Sequence, residues 1–113
     1  MIYICSPYSH PNPLIREARF RAVCRFAARM MREGKVVLSP IAHSHNIALA
    51  GSLPGDWEFW RPFGVAWLAA CSSVIVLRLE GWNESIGVQE EIRLSIEAGK
   101  PVTYVDPEPE DLR

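Results

Sequence analysis

A chain of 113 residues is long enough for one domain with a modest core and too short for two. Its composition, 49% hydrophobic and 22% charged, is typical of a soluble globular protein, and the net charge of −1 argues against nucleic-acid and polybasic membrane contacts. No apolar run approaches the roughly 18 residues of a membrane span, so we expect one domain over residues 1–113.

Cysteine usage and the N-terminal sequence bear on the compartment. The start MIYICSPYSH has no basic region before an apolar stretch and is not expected to be a signal peptide. Cys5, Cys24 and Cys71 lie far apart in apolar segments, which is typical of buried thiols in a reducing compartment. We therefore expect a cytoplasmic protein.

The first part of the chain predicts a strand, a long helix and a second strand. MIYIC, residues 1–5, is β-branched and aromatic, and a Ser-Pro pair ends it. From Pro13, apolar residues recur every four positions until Gly34, which predicts a helix. KVVLSP then predicts a second strand that stops at Pro40. One side of the helix carries arginines that we interpret as a solvated outer surface: Arg16, Arg21, Arg25, Arg29 and Arg32.

The rest of the chain adds a loop, three helical segments and two strands. Residues 40–56 are polar and contain glycine, so we expect a long loop, which in a compact domain is usually functional. Asp56 can cap a short helix, and Pro62 is expected to open a second helical segment. SSVIVLRL predicts a third strand, a helix follows from near Ser85, and KPVTYV predicts a last strand. The acidic, proline-rich tail, residues 106–113, is expected to be frayed.

Strands that alternate with helices predict parallel pairing through right-handed crossovers. The expected fold is therefore α/β: a three-layer open sandwich whose flavodoxin-like parallel sheet has four to five strands flanked by helices. Such sheets bind ligands at the carboxyl ends of their strands, where the strand order switches. Three loops should open at that edge, over residues 5–12, 39–56 and 80–87.

Two adjacent acids lie in the first turns of the last predicted helix, Glu90 and Glu91. Neighbouring helix positions point about 100° apart, so the two side chains cannot face the same place. Glu91 lies three residues after Val88 and next to Ile92, and it borders an apolar stripe that we expect to continue to Ile96. Periodicity therefore favours Glu91 as the inward acid.

Three motifs carry a resemblance to a known family: SPIAHSHNIA, LPGDWEFW and GWNESIGVQEE, followed by GKPV at 99–102. With them the chain resembles the nucleoside 2-deoxyribosyltransferase-like superfamily, which includes the 2′-deoxynucleoside 5′-monophosphate N-hydrolases. It is similar to a branch of small phage and bacterial proteins. The resemblance extends from IYICSPYS to Val105, nearly the whole chain, and implies an enzyme that acts on N-glycosidic bonds.

The resemblance also implies roles for five residues. Glu91 matches the nucleophile that attacks C1′ of the sugar and releases the base. Tyr3, on the first strand, matches the tyrosine whose hydroxyl orients that carboxylate. Ser85 matches the serine that contacts a 5′-phosphate, with the backbone amides of Gly87 and Val88 as helpers.

The chain departs from the family pattern at two acids. The aspartate usually found at the start of the helix before the third strand is Gly64 here, and the acid just before that strand is Ser72. A general acid typically contributes about 10²–10⁴-fold to a rate, so this departure puts turnover in doubt. Asp56 is a candidate substitute for the missing acid, and its alternative role is that of a helix N-cap.

Other residues are candidates for the walls of the pocket. Ser6 and Tyr8 lie in the loop after the first strand, and Trp57 can either stack on a nucleobase or pack in the core. His43 and His45 have a spacing that can suit a metal, but two ligands without a third make a poor site. For His43, contact with the base or support of the loop is the alternative.

The main hypothesis is therefore N-glycosidic bond cleavage, by hydrolysis or base transfer, on a nucleoside or nucleoside 5′-monophosphate. It needs no metal and no other cofactor. The alternatives are a non-catalytic nucleotide-binding module of the same fold and a histidine-based metal enzyme. The expected partner is the small nucleoside or nucleotide, not a nucleic-acid polymer or a membrane. Because the family commonly completes its site with a neighbouring subunit, we also expect a homodimer or a higher even-numbered assembly.

Overall fold

Four parallel strands form the central sheet: β1 (Ile2–Cys5), β2 (Val37–Leu38), β3 (Ser73–Leu77) and β4 (Val102–Val105). The computed structural model describes residues 1–113. The strand order is β2-β1-β3-β4, so the chain passes from one side of β1 to the other between β2 and β3. This order confirms the predicted α/β fold with a flavodoxin-like sheet, and it places the switch in strand order between β1 and β3.

Helices cover the sheet: α1 (Pro13–Arg32), α2 (Pro40–Gly51), α3 (Trp57–Ala69), α4 (Ile86–Glu97) and a C-terminal 3₁₀ helix (Pro109–Leu112). No helix is both long enough and apolar enough to cross a membrane. Each α-helix begins after a side chain that accepts a hydrogen bond from a backbone N–H of the first turn. These N-cap residues are Asn12, Ser39, Asp56 and Ser85.

The core lies on both faces of the sheet, because successive strand residues point to opposite sides. Ile4 of β1 packs on one face with Phe26 of α1. Tyr3 of the same strand packs on the other face with Leu68 of α3 and Ile92 of α4. The sheet is thus the middle of three layers, and α4 lies against the face that carries Tyr3.

Residues 40–51 form α2, so the prediction of a long loop over 40–56 was wrong. Pro40 occupies the first helical position, and the Ser39 hydroxyl accepts a hydrogen bond from the Ala42 N–H at 3.1 Å. Only Pro40 and His45 of α2 are buried. Because so few of its residues face the core, α2 lacks the apolar periodicity that marks a helix in a sequence.

Pro62 lies inside α3, which runs without interruption from Trp57 to Ala69. The expectation that Pro62 opens a separate helix was therefore wrong. Proline has no N–H to bond the carbonyl four residues earlier, so one backbone hydrogen bond is missing from the second turn of α3. The same part of α3 carries the partly buried aromatic residues Trp57, Phe59 and Trp60.

The tail is ordered, contrary to the expectation that residues 106–113 fray. Asp111 is 1% exposed, and its Oδ2 accepts hydrogen bonds from Arg29 Nη2 at 2.8 Å and from the Glu108 N–H at 2.9 Å. Arg29 also lies within 3.5 Å of the Glu108 and Glu110 carboxylates. Part of the arginine stripe of α1 therefore holds the tail and is not a purely solvated surface.

Candidate functional site

Glu91 and Glu90 of α4 have different surroundings. The Tyr3 hydroxyl donates a hydrogen bond to Glu91 Oε2, and Cys5 Sγ donates to Oε1 at 3.6 Å. Glu90 instead forms an ion pair with Arg93 at 2.7 Å on the outer side of the helix. The prediction that Glu91 is the inward acid is confirmed.

The buried face of α4 explains this orientation. Val88, Ile92 and Ser95 are 1%, 8% and 0% exposed, and Glu91 lies among them at helical spacing. Ile96, expected in the same stripe, is 62% exposed and was wrongly assigned. The reason is that Ser95 lies at the centre of the buried face, and Ile96 is turned a further 100° or so away from it.

The surroundings of Glu91 change its acidity. Burial raises the pKa of Glu91 to about 7, although the hydrogen bonds from Tyr3 and Cys5 act to lower it. Burial and the nearby Glu91 carboxylate raise the pKa of Tyr3 and the pKa of Cys5, so both remain neutral donors. The Glu91 residue as a whole keeps partial exposure. The site thus holds a poorly hydrated carboxyl that is about half ionised near neutral pH and belongs to a residue with some access to solvent.

We expect Glu91→Gln to be more stable than wild type, by a margin that grows as the pH rises. The folded-state pKa of about 7 lies above the ordinary 4.5, so the folded protein binds this proton more tightly than the unfolded chain does. The stability that Glu91 contributes is full below pH 4.5 and is lost as the pH rises through 7. Glutamine carries no charge to desolvate, so its advantage in unfolding free energy should grow by about 1–3 kcal/mol between about pH 5 and pH 8.

Urea unfolding of both proteins across that pH range measures the difference. A difference that stays constant would mean that Glu91 behaves as an ordinary solvated acid.

The indole of Trp57 lies over two glycines beside the Tyr3–Glu91 pair. A Cβ added to Gly64 would lie 3.8 Å from the Trp57 ring and 3.7 Å from the Tyr3 hydroxyl. A Cβ on Gly87 would lie 3.6 Å from the same ring. The position where the resemblance implies an aspartate therefore adjoins the hydroxyl that bonds Glu91, and in this chain Trp57 packs against it.

Asp56 is the exposed N-cap of α3, and its carboxylate accepts a hydrogen bond from the Phe59 N–H at 3.2 Å. This contact matches the N-cap alternative, and Asp56 makes no hydrogen bond to Tyr3 or Glu91.

The first turn of α4 contains the predicted phosphate-binding residues. Ser85 Oγ accepts a hydrogen bond from the Val88 N–H at 3.2 Å, and the Val88 side chain is buried in the core. The Val88 amide is therefore already engaged. The hydroxyl hydrogen of Ser85 remains available, and the first N–H groups of a helix, including that of Gly87, have no partner within the helix.

The loop after β1 brings a further hydroxyl and a phenol to this edge. Ser6 is 5% exposed, and its Oγ has no hydrogen-bond partner within the protein. A buried hydroxyl without a partner costs about 1–3 kcal/mol, which a bound polar ligand can offset. Tyr8 is partly exposed and lies in the same loop.

The two histidines of α2 differ in their surroundings. His43 is exposed and contacts Trp67 edge-on at 5.6 Å, whereas His45 is 4% exposed and lies 2.6 Å from the Tyr8 hydroxyl. The chain contains no group of three or more His, Cys, Asp or Glu side chains that could hold a metal ion. The metal-enzyme alternative therefore lacks a ligand set.

Sequence reasoning missed Cys5 as a contact of Glu91, and it considered His45 only as a metal ligand. Cys5 follows Tyr3 by two residues, so strand alternation alone puts it on the same face, and that signal was available. A loop over residues 40–56 gives no basis for distinguishing His45 from His43, whereas α2 turns the two side chains to different sides.

Residues 1–106 match the sequence profile of a family described as a domain of unknown function, DUF1937. The chain belongs to the DUF1937 family. No curated protein matches the chain. The DUF1937 description names no activity.

Proposed function

We propose that this DUF1937 protein cleaves the N-glycosidic bond of a nucleoside or nucleoside 5′-monophosphate, with Glu91 as the nucleophile. The observation that carries the proposal is the contact of both Glu91 oxygens with donors from β1, at the switch in strand order of a parallel sheet. The motif resemblance to the nucleoside 2-deoxyribosyltransferase-like superfamily supports the same assignment.

The arrangement suits attack on an oxocarbenium-like sugar carbon. Tyr3 holds Oε2, whereas Oε1 has only the weak 3.6 Å contact with Cys5, so Oε1 is the oxygen with a lone pair free to attack C1′. A poorly hydrated carboxylate loses little solvation when it reacts, and near its pKa of about 7 a large fraction is ionised. The glycosyl group then passes from Glu91 to water or to a second base.

Residues of α3, of α4 and of the loop after β1 suit the rest of such a substrate. The Ser85 hydroxyl and the Gly87 N–H at the start of α4 favour a 5′-phosphate. The Trp57 indole offers an apolar surface for the sugar or the base, and the Ser6 hydroxyl offers a polar contact. Because the Ser-x-Gly-Val arrangement resembles that of the phosphate-binding hydrolases, hydrolysis is favoured over transfer.

The glycine at position 64 favours a second candidate function, a nucleotide-binding module without catalysis. This candidate keeps the phosphate and base contacts and lacks an acid at that position to protonate the leaving base. Incubation of the protein for hours with a mixed pool of nucleosides and 5′-monophosphates separates the two. Chromatographic release of free base supports the enzyme, and calorimetric binding without release supports the module.

We further propose that the protein is a homodimer or a higher even-numbered assembly. Apolar side chains on α2 and α3 and in the turn between them are exposed, which is typical of a contact surface. Sedimentation at micromolar concentration should therefore show more than one chain per particle, and a monomer would contradict this proposal. These exposed residues are Ile47, Leu49, Leu53, Phe63 and Val65.

A further inference from the structure

A hydrogen-bonded series of three polar side chains links the loop after β1 to α1 and α2. The Tyr8 hydroxyl lies 2.6 Å from His45 Nδ1, and His45 Nε2 lies 2.8 Å from Glu17 Oε2. Glu17 also receives Arg21 Nε at 3.2 Å. The proposed attack by Glu91 and the proposed phosphate contacts do not involve this hydrogen-bonded series.

The imidazole of His45 is restrained by ring contacts and by hydrogen bonds at both of its nitrogens. It is 4% exposed, and the Phe20 ring stacks on it at 4.0 Å with 19° between the planes. Tyr8 meets it edge-on at 5.5 Å, and both ring nitrogens have polar partners. A histidine restrained this way is suited to pass a proton between two fixed groups.

Tyr8 lies shortly after the strand that contacts the proposed nucleophile. It follows Cys5 by three residues, which at full extension span at most about 10 Å, and Cys5 Sγ is 3.6 Å from Glu91 Oε1. Arg19 ties this loop to the one after β3, because it donates to the carbonyls of Ser9 at 2.9 Å and Glu80 at 3.1 Å. The backbone of the loop that carries Tyr8 is thus held at the carboxyl end of β1, the strand whose Tyr3 and Cys5 contact Glu91.

Gly81 makes that tie possible. Its φ of +87° is a left-handed conformation that favours glycine, and a Cβ there would lie 2.5 Å from Arg19 Nη2. The two loops at the ligand edge are therefore held together by a guanidinium that a larger residue at 81 would displace.

The protonation state of His45 decides what the Tyr8 hydroxyl can do. With a neutral imidazole protonated on Nε2, the Nδ1 lone pair accepts a hydrogen bond from the Tyr8 hydroxyl. With both nitrogens protonated, Nδ1–H donates to the Tyr8 oxygen. Arg16 also faces this hydroxyl and has no acceptor atom, so the Tyr8 hydrogen can then point only at a ligand or at solvent. Burial raises the pKa of Tyr8, which keeps the phenol protonated at neutral pH.

We propose that Tyr8 is the general acid that protonates the leaving base, and that His45 and Glu17 are positioning residues that resupply its proton. This inference rests on the proposed N-glycosidic cleavage and answers the absence of an acid at position 64. As a Glu91 oxygen forms a bond to C1′, the C1′–N electron pair moves to the base. The Tyr8 proton goes to the base nitrogen, and the His45 Nδ1 proton goes to the Tyr8 oxygen.

The second half of the reaction restores the starting state. Solvent water attacks C1′ of the glycosyl–Glu91 ester, and the electron pair of the C1′–O bond returns to the carboxylate. The proton that water loses passes through Tyr8 to His45 Nδ1. No oxidant, reductant or other co-reactant is required.

The test compares two leaving groups in Tyr8→Phe and wild type. The first substrates are the four 2′-deoxynucleoside 5′-monophosphates, whose bases need a proton to leave, and the second is 4-nitrophenyl 2-deoxyribofuranoside 5-phosphate, whose 4-nitrophenolate does not. We expect Tyr8→Phe to lower kcat/KM for base release by about 10²-fold or more and to change nitrophenolate release less than about threefold. Tyr104→Phe, at an exposed tyrosine of β4, is the matched control and should leave both rates unchanged.

An equal loss on both substrates would mean that Tyr8 only supports the loop, and no loss on either would also overturn the proposal. His45→Gln, which keeps two polar groups but cannot carry the proton, should repeat the selective loss, with His10→Gln, at an exposed histidine, as its control. Absence of both products with wild type is a different result, because it removes the proposed function itself. Release of nitrophenolate without base by wild type would keep Glu91 as the nucleophile and reject Tyr8 as the acid.

Discussion

Glu91→Gln is expected to lower the rate of base release by about 10³-fold or more. The substitution keeps the shape of the side chain and an oxygen that accepts the hydrogen bond from Tyr3, but it removes the charge and the nucleophilic oxygen. Because Tyr3 and Cys5 are already placed around the side chain, the backbone of α4 has no reason to move. The loss should therefore fall on the chemical step and leave the binding of nucleotide nearly unchanged.

Chromatography of the free base, run beside calorimetric binding, measures both quantities. The neighbouring Glu90→Gln is the matched control, since it makes the same chemical change at the residue that pairs with Arg93 on the outer side of α4. We expect Glu90→Gln to retain wild-type release. Equal release by wild type and Glu91→Gln would mean that another group is the nucleophile, and equal loss in both glutamate variants would point to damage to α4.

Asp111→Ala is expected to lower the free energy of unfolding by about 2–4 kcal/mol. The carboxylate is 1% exposed and pairs with Arg29, whose side chain is 15% exposed, so its removal leaves a mostly buried guanidinium with a poorer set of partners. The Glu108 and Glu110 carboxylates remain near Arg29, which keeps the loss below that of a fully isolated charge. The substitution also removes the acceptor of the hydrogen bond that the Glu108 N–H donates to Asp111.

Denaturant unfolding monitored by tryptophan fluorescence measures this loss. Asp106→Ala is the matched control, because Asp106 pairs with Arg78 at 2.9 Å with side chains that are 74% and 36% exposed. Exposed pairs of that kind contribute about 0–1 kcal/mol. If both aspartate variants lose the same small amount, the 3₁₀ helix does not hold the tail against α1 as described.

The raised pKa of Glu91 links the two effects predicted for Glu91→Gln, the change in stability with pH and the loss of base release. The same burial that keeps the carboxyl poorly hydrated also makes its ionised form costly, so the residue proposed for chemistry lowers stability at neutral pH. A variant that gains stability at high pH while it loses base release is the combined result expected of Glu91→Gln. An ordinary surface acid produces neither effect.

Local patterns in the sequence determine most of the fold and the identity of the inward acid. Proline and polar caps mark the helix starts, β-branched runs mark the strands, and the alternation of both predicts the parallel sheet. Glu91 was found from its spacing to Val88 and Ile92, because a helix of 3.6 residues per turn leaves little freedom in which neighbour faces the core. Such signals are readable because they depend on residues a few positions apart.

Only the tertiary structure decides the features that depend on residues far apart in the chain. Trp57 lies over Gly64 and Gly87, and no periodicity within one helix can predict that contact. The burial of Asp111 depends on Arg29, which is 82 residues away, so composition alone made the tail look frayed. The line from Glu17 through His45 to Tyr8 joins α1, α2 and the loop after β1, and it exists only because the sheet brings those three segments to one edge.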